Sequence, residues 1–182
     1  MIDHYLAGYR ASKARGDELG LDVILGAELR FPENDNDYLV YGIDEAWLRA
    51  NPYLCCMSAR EFYRKFHDQV LIVHAHPYRD GNTTVFEDAV HGTEILNAHP
   101  RHENHNDRAL SWRSATRSIC AWQGLTPTRM VTSAGWRPPA GAGADSFAYR
   151  RMIEGRCFRL WSPVFPELAA EDEALRRAEP AE

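Results

Sequence analysis

Three short apolar runs mark the first half of the chain, and each ends in residues that bind metals: Asp22-Val-Ile-Leu-Gly-Ala-Glu28, Val70-Leu-Ile-Val-His-Ala-His76 and Gly92-Thr-Glu-Ile-Leu-Asn97. Apolar runs of this length, bounded by polar or turn residues, predict buried parallel strands. A further strand, Tyr38-Leu-Val-Tyr-Gly-Ile43, follows the polar loop Pro32-Glu-Asn-Asp-Asn-Asp37. Between the runs the period changes. Ile2, Tyr5, Leu6 and Tyr9 recur at helical spacing and predict an N-terminal helix that stops at Gly20. Ser58, with Glu61 three residues on, predicts a capping box opening a helix that runs to His67. Residues 108–122 predict another helix.

Strand and helix therefore alternate, which implies βαβ units and a parallel sheet of the α/β barrel kind. In such barrels the chemistry sits where strands end, so Glu28, His76 and Asn97 with His99 are expected to converge on one face. The chain is shorter than the roughly 200 to 250 residues of a complete barrel. From residue 126 the character changes: Trp136-Arg-Pro-Pro-Ala-Gly-Ala-Gly-Ala-Asp145 has no strand period, and the tail beyond Pro166 is acidic and Ala-rich. The expectation is one partial barrel over residues 1–125, followed by a divergent, poorly ordered segment over 126–182.

Composition narrows the function classes. A formal net charge of -5, with 21 Lys and Arg residues scattered along the chain, argues against a nucleic-acid partner. No apolar run approaches a membrane span and no export signal is visible, so a cytoplasmic protein is expected. Cys55, Cys56, Cys120 and Cys157 lack CxxC spacing and read as reduced thiols.

Several residues could carry chemistry. A carboxylate such as Glu28, at the end of an apolar strand, must be paired, metal-bound or at a wet mouth, and a pair with Arg30 is the simplest alternative. His74 and His76 share one face of a strand. His76, at the strand end, is the better ligand, whereas His74, deeper in the run, reads as a core histidine satisfied by backbone carbonyls. His99, His102 and His105 lie in a polar loop as further candidate ligands. Arg79 and Arg101 suit an anion, because a guanidinium offers planar bidentate contacts to phosphate.

Together, Val23-Ile-Leu-Gly-Ala-Glu-Leu-Arg-Phe31, Asn36-Asp-Tyr-Leu-Val-Tyr-Gly-Ile-Asp44, Ala75-His-Pro-Tyr-Arg79 and Gly92-Thr-Glu-Ile-Leu-Asn-Ala-His-Pro-Arg-His102 resemble the PHP family of metal-dependent phosphoesterases, the polymerase and histidinol phosphatase type. The resemblance covers about residues 1–110. It implies a distorted seven-stranded (β/α) TIM-like barrel, here incomplete, with divalent Mn, Zn or Fe ions at the strand ends. It also implies Glu28, His76 and Asn97 as metal ligands, Glu28, His76 and Arg79 as catalytic residues, and Arg79 on the phosphate of a small phosphorylated substrate; the local reading adds His99 and His102 as expected metal ligands and Arg101 as a second phosphate contact. The sequence departs from the family in two places: the family's His-x-His and Asp-His pair are both missing before Glu28, Asp3-His4 reading as part of the N-terminal helix, and an Asp-x-His is missing where this chain reads Thr132-Ser-Ala-Gly-Trp-Arg-Pro138.

The expected protein is thus a PHP-type phosphoesterase in fragment form, weak or inactive, with sheet edges open to self-association. A non-catalytic remnant acting as a metal-binding or interaction module is the alternative. An amidohydrolase-like site lacks a carboxylated-lysine candidate, since Lys13 and Lys65 both fall in predicted helices.

Overall fold

The structure is a computed structural model that describes residues 2–79, 87–97, 102–109, 111, 121–124, 145–155, 170 and 174. Its centre is a five-stranded sheet in the order β1 (Ala27–Arg30), β2 (Asp37–Tyr41), β3 (Leu71–His74), β4 (Gly92–Asn97), β5 (Ala121–Gly124). β1 pairs antiparallel with β2 and β2 antiparallel with β3, while β3–β4 and β4–β5 are parallel.

This overturns the expected (β/α) barrel: among the described residues the sheet is open and mixed, with β1 and β5 at its edges. The physical reason lies in the connection between β1 and β2. Residues 31–36 are far too few for a parallel crossover, which needs about a dozen residues or more, so the two strands can only fold back as a hairpin. Several element boundaries also change. The first strand starts at Ala27 rather than Asp22, the second runs Asp37–Tyr41 rather than Tyr38–Ile43, the third ends at His74 and leaves His76 in the turn beyond it, and residues 121–122, expected at the end of a helix, belong to β5.

The alternation of β1 and β2 sorts side chains onto two faces. Ala27, Leu29, Tyr38 and Val40 turn inward, while Glu28 and Arg30 turn outward. The inward face, with Ile72 from β3, packs against α1 (Ile2–Leu19) through Leu6 and Tyr9, and against α3 (Ala59–Phe66) through Phe62 and Phe66. The short helix α2 (Glu45–Ala50), N-capped by Asp44, adds Leu48 to the same core.

Alpha-helical spacing was a sound guide here. α1 ends where expected, with Gly20 in the left-handed region at φ 66°. α3 carries the predicted capping box: the Glu61 N–H donates to Ser58 Oγ at 3.2 Å, and the Ser58 N–H donates to Glu61 Oε2 at 2.8 Å. Replacing Ser58 by alanine is expected to lower stability by about 1 kcal/mol in urea unfolding with no change in the slope of the transition.

β3 is buried on both sides, as its apolar run implies. Leu71 and Val73 point away from the main core and meet Tyr149 and Ile153 of α4 (Ser146–Glu154). Asp145 caps that helix by accepting the Ala148 N–H at 2.7 Å. Ser146 Oγ accepts the N–H groups of Gly42 at 2.8 Å and Ile43 at 3.2 Å, which ties α4 to the turn after β2. Gly42 has φ 79°, a conformation that suits glycine. No helix among the described residues is long and apolar enough to cross a membrane.

Candidate metal centre

The hairpin register puts Arg30 opposite Asp37 and Glu28 opposite Leu39, so Glu28, Arg30 and Asp37 share the outward face. β3 then brings the third group. The Ala75 N–H donates to the Asp37 carbonyl at 2.9 Å, extending the ladder by one residue, and the chain turns at His76, which has φ 31°. A positive φ is uncommon for a residue with a Cβ and marks a backbone held by its surroundings. The turn closes with the Arg79 N–H donating to the His76 carbonyl at 3.0 Å.

His76 Nε2 ends up 3.6 Å from Glu28 Oε1 and 3.6 Å from Asp37 Oδ2. These separations exceed a hydrogen bond. The three donors, all within 4.8 Å of one another, surround a gap rather than bonding across it. Two donors each roughly 2.0 to 2.2 Å from one ion lie at most about 4.4 Å apart, so both imidazole–carboxylate separations suit a shared cation. Glu28, 56 % exposed against 13 % for His76 and 16 % for Asp37, is the side chain with room to close on it.

Arg30 shapes the electrostatics. Its Nε and Nη2 donate to Asp37 Oδ1 and Oδ2, each at 2.8 Å, a bidentate clamp that orients the carboxylate. A carboxylate oxygen keeps further lone pairs, so Oδ2 can accept from Arg30 and still face His76. Glu28 itself makes no ion pair with Arg30, whose fork is committed to Asp37.

Beneath His76 lies a buried polar chain. The His76 N–H donates to Glu94 Oε2 at 2.6 Å, and Asn97 Nδ2 donates to both Glu94 oxygens at 3.2 and 3.1 Å. Asn97 is held in turn by Asn106, whose Oδ1 accepts the Asn97 N–H at 2.9 Å and whose Nδ2 donates to the Asn97 carbonyl at 3.1 Å. Glu94 is 2 % exposed, and burial pushes its carboxyl above the usual carboxylate range, opposed by the hydrogen bonds from Asn97 and His76.

His74 is fully buried, as expected of a core histidine, and stacks on Tyr38 at 5.4 Å between ring centroids. The expected carbonyl partners are not there. Among the described residues neither ring nitrogen has a hydrogen-bond partner, and burial pushes the imidazole pKa down to about 4.

The structure thus brings Glu28 and His76 together. Asn97 stands one step removed, bonded to Glu94 rather than lining the gap. Arg79 Nε donates to Asn104 Oδ1 at 3.2 Å, and its buried Nη2 has no hydrogen-bond partner among the described residues. His102 lies exposed and outside the cluster, while His99 and Arg101 fall outside the described residues.

Asp37 and Glu94 escaped the sequence reading. Asp37 was assigned to the polar loop, although the shortness of residues 31–36 implies a hairpin and hence a partner for Arg30. Glu94 carried only one signal, a lone carboxylate inside an apolar strand.

Comparison with models of known protein families, with curated proteins and with solved structures finds no match to this chain.

Proposed function

We propose that the protein binds one divalent metal ion at Glu28, Asp37 and His76 and is a metal-dependent phosphoesterase of low activity. The observation that carries this reading is the gap itself: an imidazole and two carboxylates at separations too long for hydrogen bonds and right for shared coordination. Mixed nitrogen and oxygen donors suit Zn, Mn or Fe. The chemistry such an ion supplies is Lewis acidity, which activates water and neutralises charge on phosphoryl oxygens.

The residues do the rest. Exposure of Glu28 leaves one side of the centre open to solvent and to a substrate. Arg30 keeps Asp37 oriented through two parallel hydrogen bonds. Arg79 lies on the turn that carries His76, and its guanidinium chemistry suits a phosphate group. Three donors from a short stretch of chain hold one ion where the PHP family uses two or three, which is the reason for expecting slow turnover. The motif resemblance around Glu28 and Ala75-His-Pro-Tyr-Arg79 supports the substrate class, a small phosphate ester. Exposed, unbridged Cys55 and Cys56 suit a reducing compartment, and we place the protein in the cytoplasm.

The test is purified protein with Mn²⁺ and a chromogenic phosphate ester, compared with a Glu28→Ala, His76→Ala double variant. Slow turnover that needs the metal and vanishes in the variant is expected. Turnover that survives both chelation and the double substitution would refute the reading. The Arg30 clamp favours a second reading, a metal-binding module without catalysis, because it takes charge from one of the three donors. Metal bound stoichiometrically with no turnover would select it.

A further inference from the structure

We propose that Glu94 is the positioning residue of the metal centre: its buried carboxylate captures the His76 N–H and thereby fixes the left-handed turn that aims the His76 imidazole between Glu28 and Asp37. The proposal rests on the reading of those three groups as a metal site.

The argument starts from the ladder. Successive N–H groups of a strand point to opposite sides. The Ala75 N–H goes toward β2, where the Asp37 carbonyl takes it, so the His76 N–H faces β4. The β3–β4 ladder ends one step earlier, at Val73 with Gly92 and His74 with Thr93. No β4 carbonyl meets the His76 amide, and a side chain does so instead. Glu94 Oε2 accepts it at 2.6 Å.

A hydrophobic residue would pack as well at position 94 and avoid burying a carboxylate, so the acid there calls for a reason. Its two oxygens are also pinned by Asn97, and Asn97 by Asn106, so the acceptor cannot drift. The result is a rigid prop that runs from Asn106 through Asn97 and Glu94 to one backbone amide. The Arg79 N–H holds the His76 carbonyl, and the Glu94 bond holds its amide; the conformation disfavours a Cβ, so the amide bond is the side-chain support that sets the imidazole direction. Supports of this kind around metal ligands typically matter ten- to a hundredfold in affinity.

Three variants and one probe test this. Co²⁺ alone is titrated into the wild type, Glu94→Gln, Glu94→Asp and Glu94→Ala, following affinity and the visible absorption that reports a nitrogen ligand. The Ala and Asp variants should each bind about ten- to a hundredfold more weakly, with a diminished visible band. Glu94→Gln should stay near wild type, since its amide oxygen still accepts the N–H and Asn97 can turn its own amide over. Glu94→Asp keeps the charge and most of the volume but falls short of the amide, so the decision does not depend on the alanine variant folding.

Wild-type affinity and spectrum in both Ala and Asp would overturn the proposal. So would a Gln variant as poor as alanine, because charge rather than amide capture would then be the active feature. A wild type that binds no Co²⁺ refutes the metal reading instead. In that case amide exchange in the metal-free protein decides: His76 N–H protected in wild type and Gln, and about tenfold or more faster in Asp and Ala, upholds the role of Glu94. Equal exchange in all four sinks it.

Discussion

His76→Ala is expected to weaken binding of Zn²⁺ or Mn²⁺ by about a hundredfold or more, and Asp37→Asn by a similar factor, when measured by titration calorimetry. The first removes one of the three donors found among the described residues, and the second removes the negative charge of another. Even losing a group that merely supports a ligand costs ten- to a hundredfold, so losing a ligand costs at least as much. The fold should tolerate both changes. His76 lies beyond the end of β3, and the Arg30–Asp37 pair has Arg30 56 % exposed, where such pairs contribute at most about 1 kcal/mol. Loss of affinity is therefore separable from unfolding. His67→Ala serves as the control: His67 sits on the surface with Asp68 at 3.3 Å, outside the three-donor cluster, and should leave affinity unchanged. If His76→Ala binds as well as wild type, the centre does not exist.

The second large effect concerns His74 and acid. In the folded metal-free protein this imidazole is held down to about 4, against 6.5 in the unfolded chain, first by burial and then by the neighbouring His76. Above pH 6.5 it is neutral in both states and adds no pH dependence. As pH falls from 6.5 toward 4 the unfolded chain takes up a proton that the folded one refuses, so stability is lost across that window. The span amounts to about 3 kcal/mol in total. His74→Phe, which keeps a ring against Tyr38, should remove this loss. It should be neutral or stabilising at pH 7, since two unbonded ring nitrogens disappear from the core. Glu94 works in the opposite sense: its raised value favours the folded state at low pH, and stability declines as it ionises. Because both proteins contain Glu94, its contribution cancels in the comparison. The measurement is urea unfolding of wild type and His74→Phe from pH 7 to pH 4. Parallel stability curves would refute the account.

What the sequence made legible was whatever local pattern determines. The bounds of α1, the capping box of α3 and the exact span of β4 all follow from spacing and caps within a few residues. Strand direction was less legible, because an apolar run says that a strand is buried and nothing about which way its neighbours run. β3 is indeed buried on both faces, yet one neighbour is parallel and the other antiparallel. The length of the loop at residues 31–36 held the answer for β1 and β2.

The candidate centre was legible in two of its three donors. Glu28 and His76 stood out as polar ends of apolar runs, and the hairpin brings them to one place even though the sheet is not the expected barrel. Asp37 was invisible for a physical reason: a loop aspartate becomes a site residue only once the register pairs it with Arg30 and carries it to the end of β3. Asn97 was expected as a metal ligand at a strand end, but the group it touches is Glu94, a relation that no spacing encodes.

The contact between Ser146 and the turn at Gly42 bears on the order in which the molecule assembles. It closes a loop of more than a hundred residues, whereas Glu28, Asp37 and His76 all lie within one short stretch of chain. On a ribosome, the hairpin, α3 and β3 emerge first, and with them every donor of the centre. α4 arrives after most of the chain has been made and settles on Leu71 and Val73. The entropy of closing so long a loop grows only logarithmically, by about 0.6 kcal/mol for each doubling, so the delay is kinetic far more than thermodynamic. Until α4 docks, those two side chains have Ile24, Leu39 and Tyr41 beside them but lack the cover of Tyr149 and Ile153, so the nascent chain carries a part-covered apolar patch beside donors that are already in place.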